Sequence, residues 1–86
     1  MNKNNTQYKR EDIEKIKNIC NNWYLSNKKV RIKMPKDRKR VIDSEAIITG
    51  VYPRFMTINY FVNNNSCSVT VAYTDILIGN VIVEEL

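Results

Sequence analysis

Two hydrophobic periods divide the chain. In its first third, apolar residues recur every three or four positions, at Ile13, Ile16, Ile19, Cys20 and Trp23. This spacing places them on one face of a helix, which we predict over residues 10–26. The apolar face needs a surface to pack against, and we predict Trp23 and Leu25 as its contacts with the core.

From residue 28 onward the period is two, which is typical of half-buried strands. We predict five short strands, at residues 28–34, 41–52, 55–62, 66–73 and 81–85. Pro53 indicates a tight turn, and Asn63-Asn64-Asn65 suits a hairpin loop because Asn reaches left-handed backbone angles. In the second strand, Asp43-Ser44 indicates a bulge or a late start, and Gly50 indicates a bend or bulge where the strand curls.

The segment between the last two strands breaks the period. We predict a single 3₁₀-like turn at residues 74–77, with Thr74 as its cap and Leu77 closing the end of the core. Asp75 is expected to be structural, because its side chain can accept hydrogen bonds from nearby backbone N–H groups.

These elements predict a mostly β fold. Five short antiparallel strands do not bury one shared face while lying flat, so we expect them to close. The predicted fold is a small five-stranded SH3-like (Sm-like) barrel preceded by one N-terminal α-helix. A chain of 86 residues forms a single domain, with residues 1–9 flexible, 10–26 helical and 27–86 in the barrel.

Charge is concentrated in the first predicted strand and the turn that follows it. Residues 28–40 carry seven net positive charges, whereas the rest of the chain carries two net negative charges. The apolar residues of this strand alternate with its cations, which must therefore share the solvent-exposed face. The candidate binding residues, for an acidic protein or a nucleic acid, are Lys29, Arg31, Lys33, Lys36, Arg38, Lys39 and Arg40.

Two other interpretations of this basic segment remain open. Small barrels bind single-stranded nucleic acid by combining a basic groove with aromatic residues that stack on bases, and Tyr52, Phe55 or Tyr60 could stack here. Alternatively, the cations only keep an exposed strand soluble and prevent edge-to-edge pairing.

The composition favours a function without catalysis. The chain has no His, so the commonest general base is missing and neither Cys20 nor Cys67 has an imidazole to activate it. Two glycines do not form a phosphate-binding loop, and two cysteines do not complete a zinc site. We predict no enzyme activity, no cofactor and no metal. Without a secretory signal or a long apolar run, we expect a cytoplasmic protein with reduced thiols and no membrane partner.

From residue 27 onward the chain resembles the Veg family of low-GC Gram-positive bacteria. The matching segments are NKKVRIKM, the basic KDRKR turn, AIITGVYPRFMTI with its Tyr52-Pro53 turn, and VAYTDILIGNVIVEEL with Tyr-x-Asp-Ile-Leu before the last strand. The chain differs from the family at Asn27, where Gly is usual, and at Arg54, where a small residue is usual. A further difference is Pro35-Lys36-Asp37, which replaces a glycine-containing turn.

The resemblance implies an SH3-like barrel and a cytoplasmic regulatory protein that stimulates biofilm formation by relieving a repressor of matrix genes. It brings no enzyme activity and no cofactor. A protein regulator is therefore the favoured partner. Direct binding of single-stranded DNA or RNA through residues 28–40 is the alternative, and a homodimer formed through free strand edges is a third hypothesis.

Overall fold

The computed structural model describes residues 10–86, and it contains the predicted helix and the five predicted strands. In chain order the elements are α1 (Arg10–Leu25), β1 (Lys29–Pro35), β2 (Val41–Val51), β3 (Phe55–Val62), β4 (Asn65–Ala72), α2 (Tyr73–Leu77) and β5 (Ile82–Glu85). The flexibility expected for residues 1–9 falls outside the described residues.

The five strands form one antiparallel sheet in the order β4-β3-β2-β1-β5. In the described part of the chain the outer strands β4 and β5 do not pair with each other, so the sheet is open and the predicted SH3-like barrel is not confirmed. The prediction assumed that closure was needed to bury the shared face. Instead α1 lies on that face, and its Ile13, Ile16 and Trp23 pack against the core.

The core lies between the sheet and the two helices. Alternate side chains of the strands face this core. Its fully buried side chains include Tyr73, Ile32, Met56, Ile58, Val30, Val71 and Cys20. Trp23 is half-buried and packs on this cluster, as predicted for a core contact. The prediction for Leu25 was wrong, because its side chain, at the last residue of α1, is 69% exposed.

Asparagines end α1 and connect β3 to β4. Asn27 has φ 54°, and the hydrogen bonds Lys28 N–H to Trp23 C=O (3.0 Å) and Asn27 N–H to Tyr24 C=O (3.2 Å) form a Schellman motif. This left-handed position is where the Veg family usually has Gly. The hairpin loop is also as predicted, because Asn63 and Asn64 have φ of 51° and 69°; β4 begins at the next residue.

The bulge in β2 lies at Gly50 and not at Asp43-Ser44. The register of β2 with β3 shifts between Ile48 and Gly50, whereas Asp43 pairs regularly with Lys33 of β1. A Cβ atom at Gly50 would lie 2.8 Å from the Tyr52 ring. The glycine therefore leaves room for the exposed Tyr52 ring to lie over the strand.

The segment before β5 differs in detail from the prediction. It is a five-residue α-helix with Ala72 at its N-cap and no side-chain cap, so Thr74 does not cap it. Ile76, and not Leu77, packs against the core. Asp75 accepts the Val81 N–H through its backbone carbonyl at 3.1 Å. Within residues 10–86 its side chain accepts no hydrogen bond, so the local side-chain bonds predicted for it are not formed.

Candidate binding surface

Strand β1 places its cations on one face, as its alternation predicted. Val30 and Ile32 are fully buried, whereas Lys29, Arg31 and Lys33 are exposed on the outer face of the sheet. We call these three residues the strand cations. Their placement agrees with the sequence analysis, while their role in binding remains a prediction.

The neighbouring strands bring acidic residues beside the strand cations. Arg31 lies opposite Glu45 of β2 and Glu84 of β5, and Lys33 lies opposite Asp43 of β2. Residues that pair across antiparallel strands share a face of the sheet. The outer face around β1 therefore carries three cations and three carboxylates.

Two of these neighbours form ion pairs. Arg31 Nε lies 2.8 Å from Asp43 Oδ1, and Lys29 Nζ lies 3.9 Å from Glu45 Oε1. All four side chains are partly exposed, so each pair adds at most about 1 kcal/mol to stability. The carboxylates matter more for the electrostatic potential of this face, because their negative charges offset the positive charges of the strand cations.

The turn between β1 and β2, unlike the outer face of β1, has a net positive charge. We call residues 36–40 the basic turn; it contains four cations and one acid. Within residues 10–86, Lys36, Arg38 and Lys39 form no ion pair, while Arg40 Nε contacts Asp37 Oδ2 at 3.2 Å. The basic turn is therefore the part of the candidate site where positive charge exceeds nearby negative charge.

Asp37 organises the basic turn from within. Its Oδ1 accepts the backbone N–H groups of Lys39 and Arg40, both at 3.0 Å, and the Lys36 N–H donates to the Arg40 carbonyl at 3.0 Å. Such an Asx-type turn holds the backbone in one conformation. The four cations consequently project from a defined loop, and all four are exposed.

The aromatic residues considered for base stacking lie away from the basic turn. Tyr60 is 6% exposed and belongs to the core. Tyr52 and Phe55 stack on each other, with ring centroids 5.0 Å apart, at the turn between β2 and β3. The two turns are at opposite ends of β2, an eleven-residue strand that spans roughly 35 Å.

A polar cluster that the sequence did not predict joins α1 to β5. Glu85 Oε1 accepts the indole N–H of Trp23 at 3.0 Å, and Oε2 lies 3.1 Å from Lys28 Nζ. The indole hydrogen bond and then Lys28 lower the pKa of Glu85. Lys28, although part of the basic segment, is thus engaged with the last strand. No local pattern in the sequence predicts this cluster, because Glu85 is 62 positions from Trp23.

The buried titratable groups are structural. The Tyr73 hydroxyl donates to the Tyr52 carbonyl at 2.7 Å, and burial raises the pKa of Tyr73 to about 12. Burial also raises the pKa of the Cys20 thiol to about 11. Both groups are protonated at neutral pH and neither is activated as a nucleophile. Cys67 is half-buried on β4, and both thiols are free.

An apolar pocket of about 100 Å³ lies between α1, α2 and β5. It is lined by Ile16, Ile19, Cys20, Trp23, Ile76 and Val83. Ligand sites for drug-sized molecules enclose roughly 300–1,000 Å³ and include a few polar groups. This pocket is smaller and has an almost wholly apolar lining, so it is a packing gap under the helix.

Residues 10–86 bring together no group of three or more His, Cys, Asp or Glu residues suited to hold a metal ion. In the same range, neither helix combines the length and the apolar character of a membrane-crossing segment.

The family comparison agrees with the resemblance found in the sequence. The family model described as "Biofilm formation stimulator VEG" matches residues 11–84, which is nearly the whole described chain. That description names a regulatory effect and no catalysed reaction. No curated protein sequence is significantly similar to the chain.

Proposed function

We propose that this chain, which belongs to the Veg family of biofilm formation stimulators, is a non-enzymatic, cytoplasmic binding module. It stimulates biofilm formation by interacting with a transcription repressor of matrix genes, and the basic turn carries the contact. The observation that supports this choice is the register of β1, which places three carboxylates beside the strand cations, whereas the basic turn keeps a net positive charge.

The basic turn suits a compact acidic patch on a protein. Its backbone is already held by Asp37, so little conformational entropy is lost when it docks. Arg38 can bind a carboxylate with two parallel hydrogen bonds, and Lys36 and Lys39 add point charges, whereas Arg40 is already paired with Asp37.

The alternative function, binding of single-stranded DNA or RNA, has weaker support. Such sites interleave cations with stacking aromatics along one groove. Here the stacked pair Tyr52–Phe55 lies at the far end of β2, and Tyr60 is buried. The basic turn alone offers phosphate contacts without base stacking.

The finer fold assignment belongs to the same proposal. We infer that the open sheet is a variant of the SH3-like (Sm-like) barrel. Its support is the strand order, in which β5 returns to pair with β1, and the short helix that separates β4 from β5. A crystal structure in which the outer strands curl towards each other would establish this.

Two triple variants test the function. The turn variant changes Arg38, Lys39 and Arg40 to Gln, and the strand variant changes Lys29, Arg31 and Lys33 to Gln. Both remove three positive charges, so they have equal net charge. We expect the strand variant to restore biofilm formation in a strain that lacks the native protein and the turn variant to fail, with both variants folded by circular dichroism.

Binding is then measured directly with the matrix-gene repressor that wild-type protein captures from its native cytoplasm. Isothermal titration at two salt concentrations should show weaker binding for the turn variant alone. If both variants lose affinity equally, binding depends on net charge and the assignment to the turn is wrong. If nuclease treatment removes the captured partner and log K falls steeply with log salt, the nucleic-acid function replaces this proposal.

A further inference from the structure

The outer edge of β4 is an unpaired strand edge. Strand β4 pairs with β3 along its whole length, and no strand within residues 10–86 pairs with its other side. Along this edge, backbone N–H and C=O groups point outward with no strand to receive them. A second strand is the natural partner for such a row of donors and acceptors.

This edge lacks the features that usually prevent pairing. Charged residues, prolines and bulges protect most edge strands. The twenty residues from 55 to 74 contain no charged residue and no proline. The register of β3 with β4 also runs without a shift from Phe55↔Ala72 to Val62↔Asn65. The opposite edge, β5, has four residues, and two of them are Glu84 and Glu85.

The two faces of β4 differ in chemistry. On the outer face the side chains are small hydroxyls, Ser66, Ser68 and Thr70, all exposed. On the inner face Cys67 and Val69 are only half-buried, although the β3 residues that they pair with belong to the core. A strand added at this edge would bury Cys67 and Val69 further.

A second copy of the same strand fits this edge. Antiparallel pairing of β4 with itself places hydroxyls beside hydroxyls on one face and apolar side chains beside apolar side chains on the other. Strand β4 contains no charged residue, so the pairing brings no like charges together near the two-fold axis. The resulting two-fold contact is closed, because each copy uses the same edge.

Repulsion between two basic chains is weak at this edge. The basic turn joins β1 to β2, and β2 lies two strand spacings from β4, which corresponds to about 10 Å. This exceeds the screening length of about 8 Å at physiological ionic strength. The basic turn, on β1 and β2, therefore contributes little repulsion across the contact.

We propose that the chain forms a two-fold dimer in which the β4 edges pair antiparallel and join two sheets into one of ten strands. This dimerisation does not depend on the proposed function of the basic turn.

Sedimentation velocity over a range of concentrations tests the dimer. The variant Thr70→Lys places a charge on the β4 edge, where the Thr70 side chain is exposed and forms no side-chain hydrogen bond within residues 10–86. Ile82→Lys places the same charge on the β5 edge and is the matched control. We expect wild type and Ile82→Lys to dimerise as concentration rises and Thr70→Lys to remain monomeric. Ser66→Lys provides a second β4 variant if Thr70→Lys does not fold.

Cysteine cross-linking in the full-length chain tests whether the β4 edges pair. In a Cys67→Ser background, Ser66→Cys, Ser68→Cys and Thr70→Cys are oxidised separately, with Glu84→Cys as the β5 control. A disulfide needs Cα atoms within about 7 Å, so only positions near the two-fold axis should cross-link. A monomer at every concentration, a dimer that persists in Thr70→Lys, or cross-linking through Glu84→Cys alone would overturn the proposal.

Discussion

The indole Nε1 of Trp23 donates a 3.0 Å hydrogen bond to Glu85 Oε1 and so joins the first helix to the last strand. The two residues are 62 positions apart. Lys28, the residue immediately before β1, binds the other carboxylate oxygen at 3.1 Å. The C-terminal end of α1 is therefore attached to the edge of the sheet both by apolar packing and by this polar cluster.

Removal of the Trp23 side chain should destabilise the fold. We expect Trp23→Ala to lower the free energy of unfolding by about 2 kcal/mol, less than the ~3–5 kcal/mol of a fully buried aromatic, because the ring is half-buried. Trp23→Phe should cost less, since it keeps most of the packing and loses the N–H donor. Urea denaturation measures both. Exposed Tyr24, changed to Ala, is the control, and an equal effect of the two alanine variants would show that α1 is not packed at Trp23.

The Glu85 carboxylate should make stability depend on pH in the acid range. Its pKa is lowered in the folded chain, by the indole hydrogen bond and by Lys28. The carboxylate therefore stabilises the fold above its unfolded pKa, and this contribution disappears as pH falls through the folded pKa. Between about pH 6 and about pH 3 the melting temperature of wild type should fall further than that of Glu85→Gln. Parallel curves would mean that the cluster does not form in solution.

The two thiols should differ in reactivity. Cys20 is 1% exposed and burial raises its pKa to about 11, whereas Cys67 is half-buried near the open edge of β4. We expect a thiol reagent such as dithionitrobenzoate to modify Cys67 at least ~10-fold faster than Cys20 in the folded protein. Denaturant should expose both. Cys67→Ser should abolish the fast phase, and a fast phase that survives in this variant would place Cys20 at the surface.

The Asn63-Asn64 turn should be improved by glycine. Both residues have positive φ, which suits the two-residue turns that join antiparallel strands. Asn64→Gly should raise the free energy of unfolding by a few tenths of a kcal/mol, up to about 1 kcal/mol, because glycine adopts this conformation without steric cost. Asn64→Val should lower it by about 1–2 kcal/mol. Chemical denaturation of both variants gives the comparison; destabilisation by Gly would indicate that the Asn64 side chain itself holds the turn.

The sequence was sufficient for most of the local structure, except the segment before β5, and for the position of the positive charge. The extents of α1 and of the strands to within one residue, the burial of Val30 and Ile32, and the left-handed asparagines of the β3–β4 hairpin follow from periods and backbone preferences within single segments. The excess charge of residues 36–40 was also visible, because it depends on composition alone.

Only the tertiary structure decided which of these charges remain available. Arg31 meets Glu45, Glu84 and Asp43 because three strands pair in one particular register, and a shift of one residue would have sent those acids to the other face. The contact between Trp23 and Glu85 likewise depends on how distant segments pack. So does the open sheet, because α1 covers its inner face and the strands do not need to close into a barrel. A hydrophobic period reports which face of one element is buried. The residues that this face or its opposite will meet depend on pairings between distant segments, and no single segment encodes them.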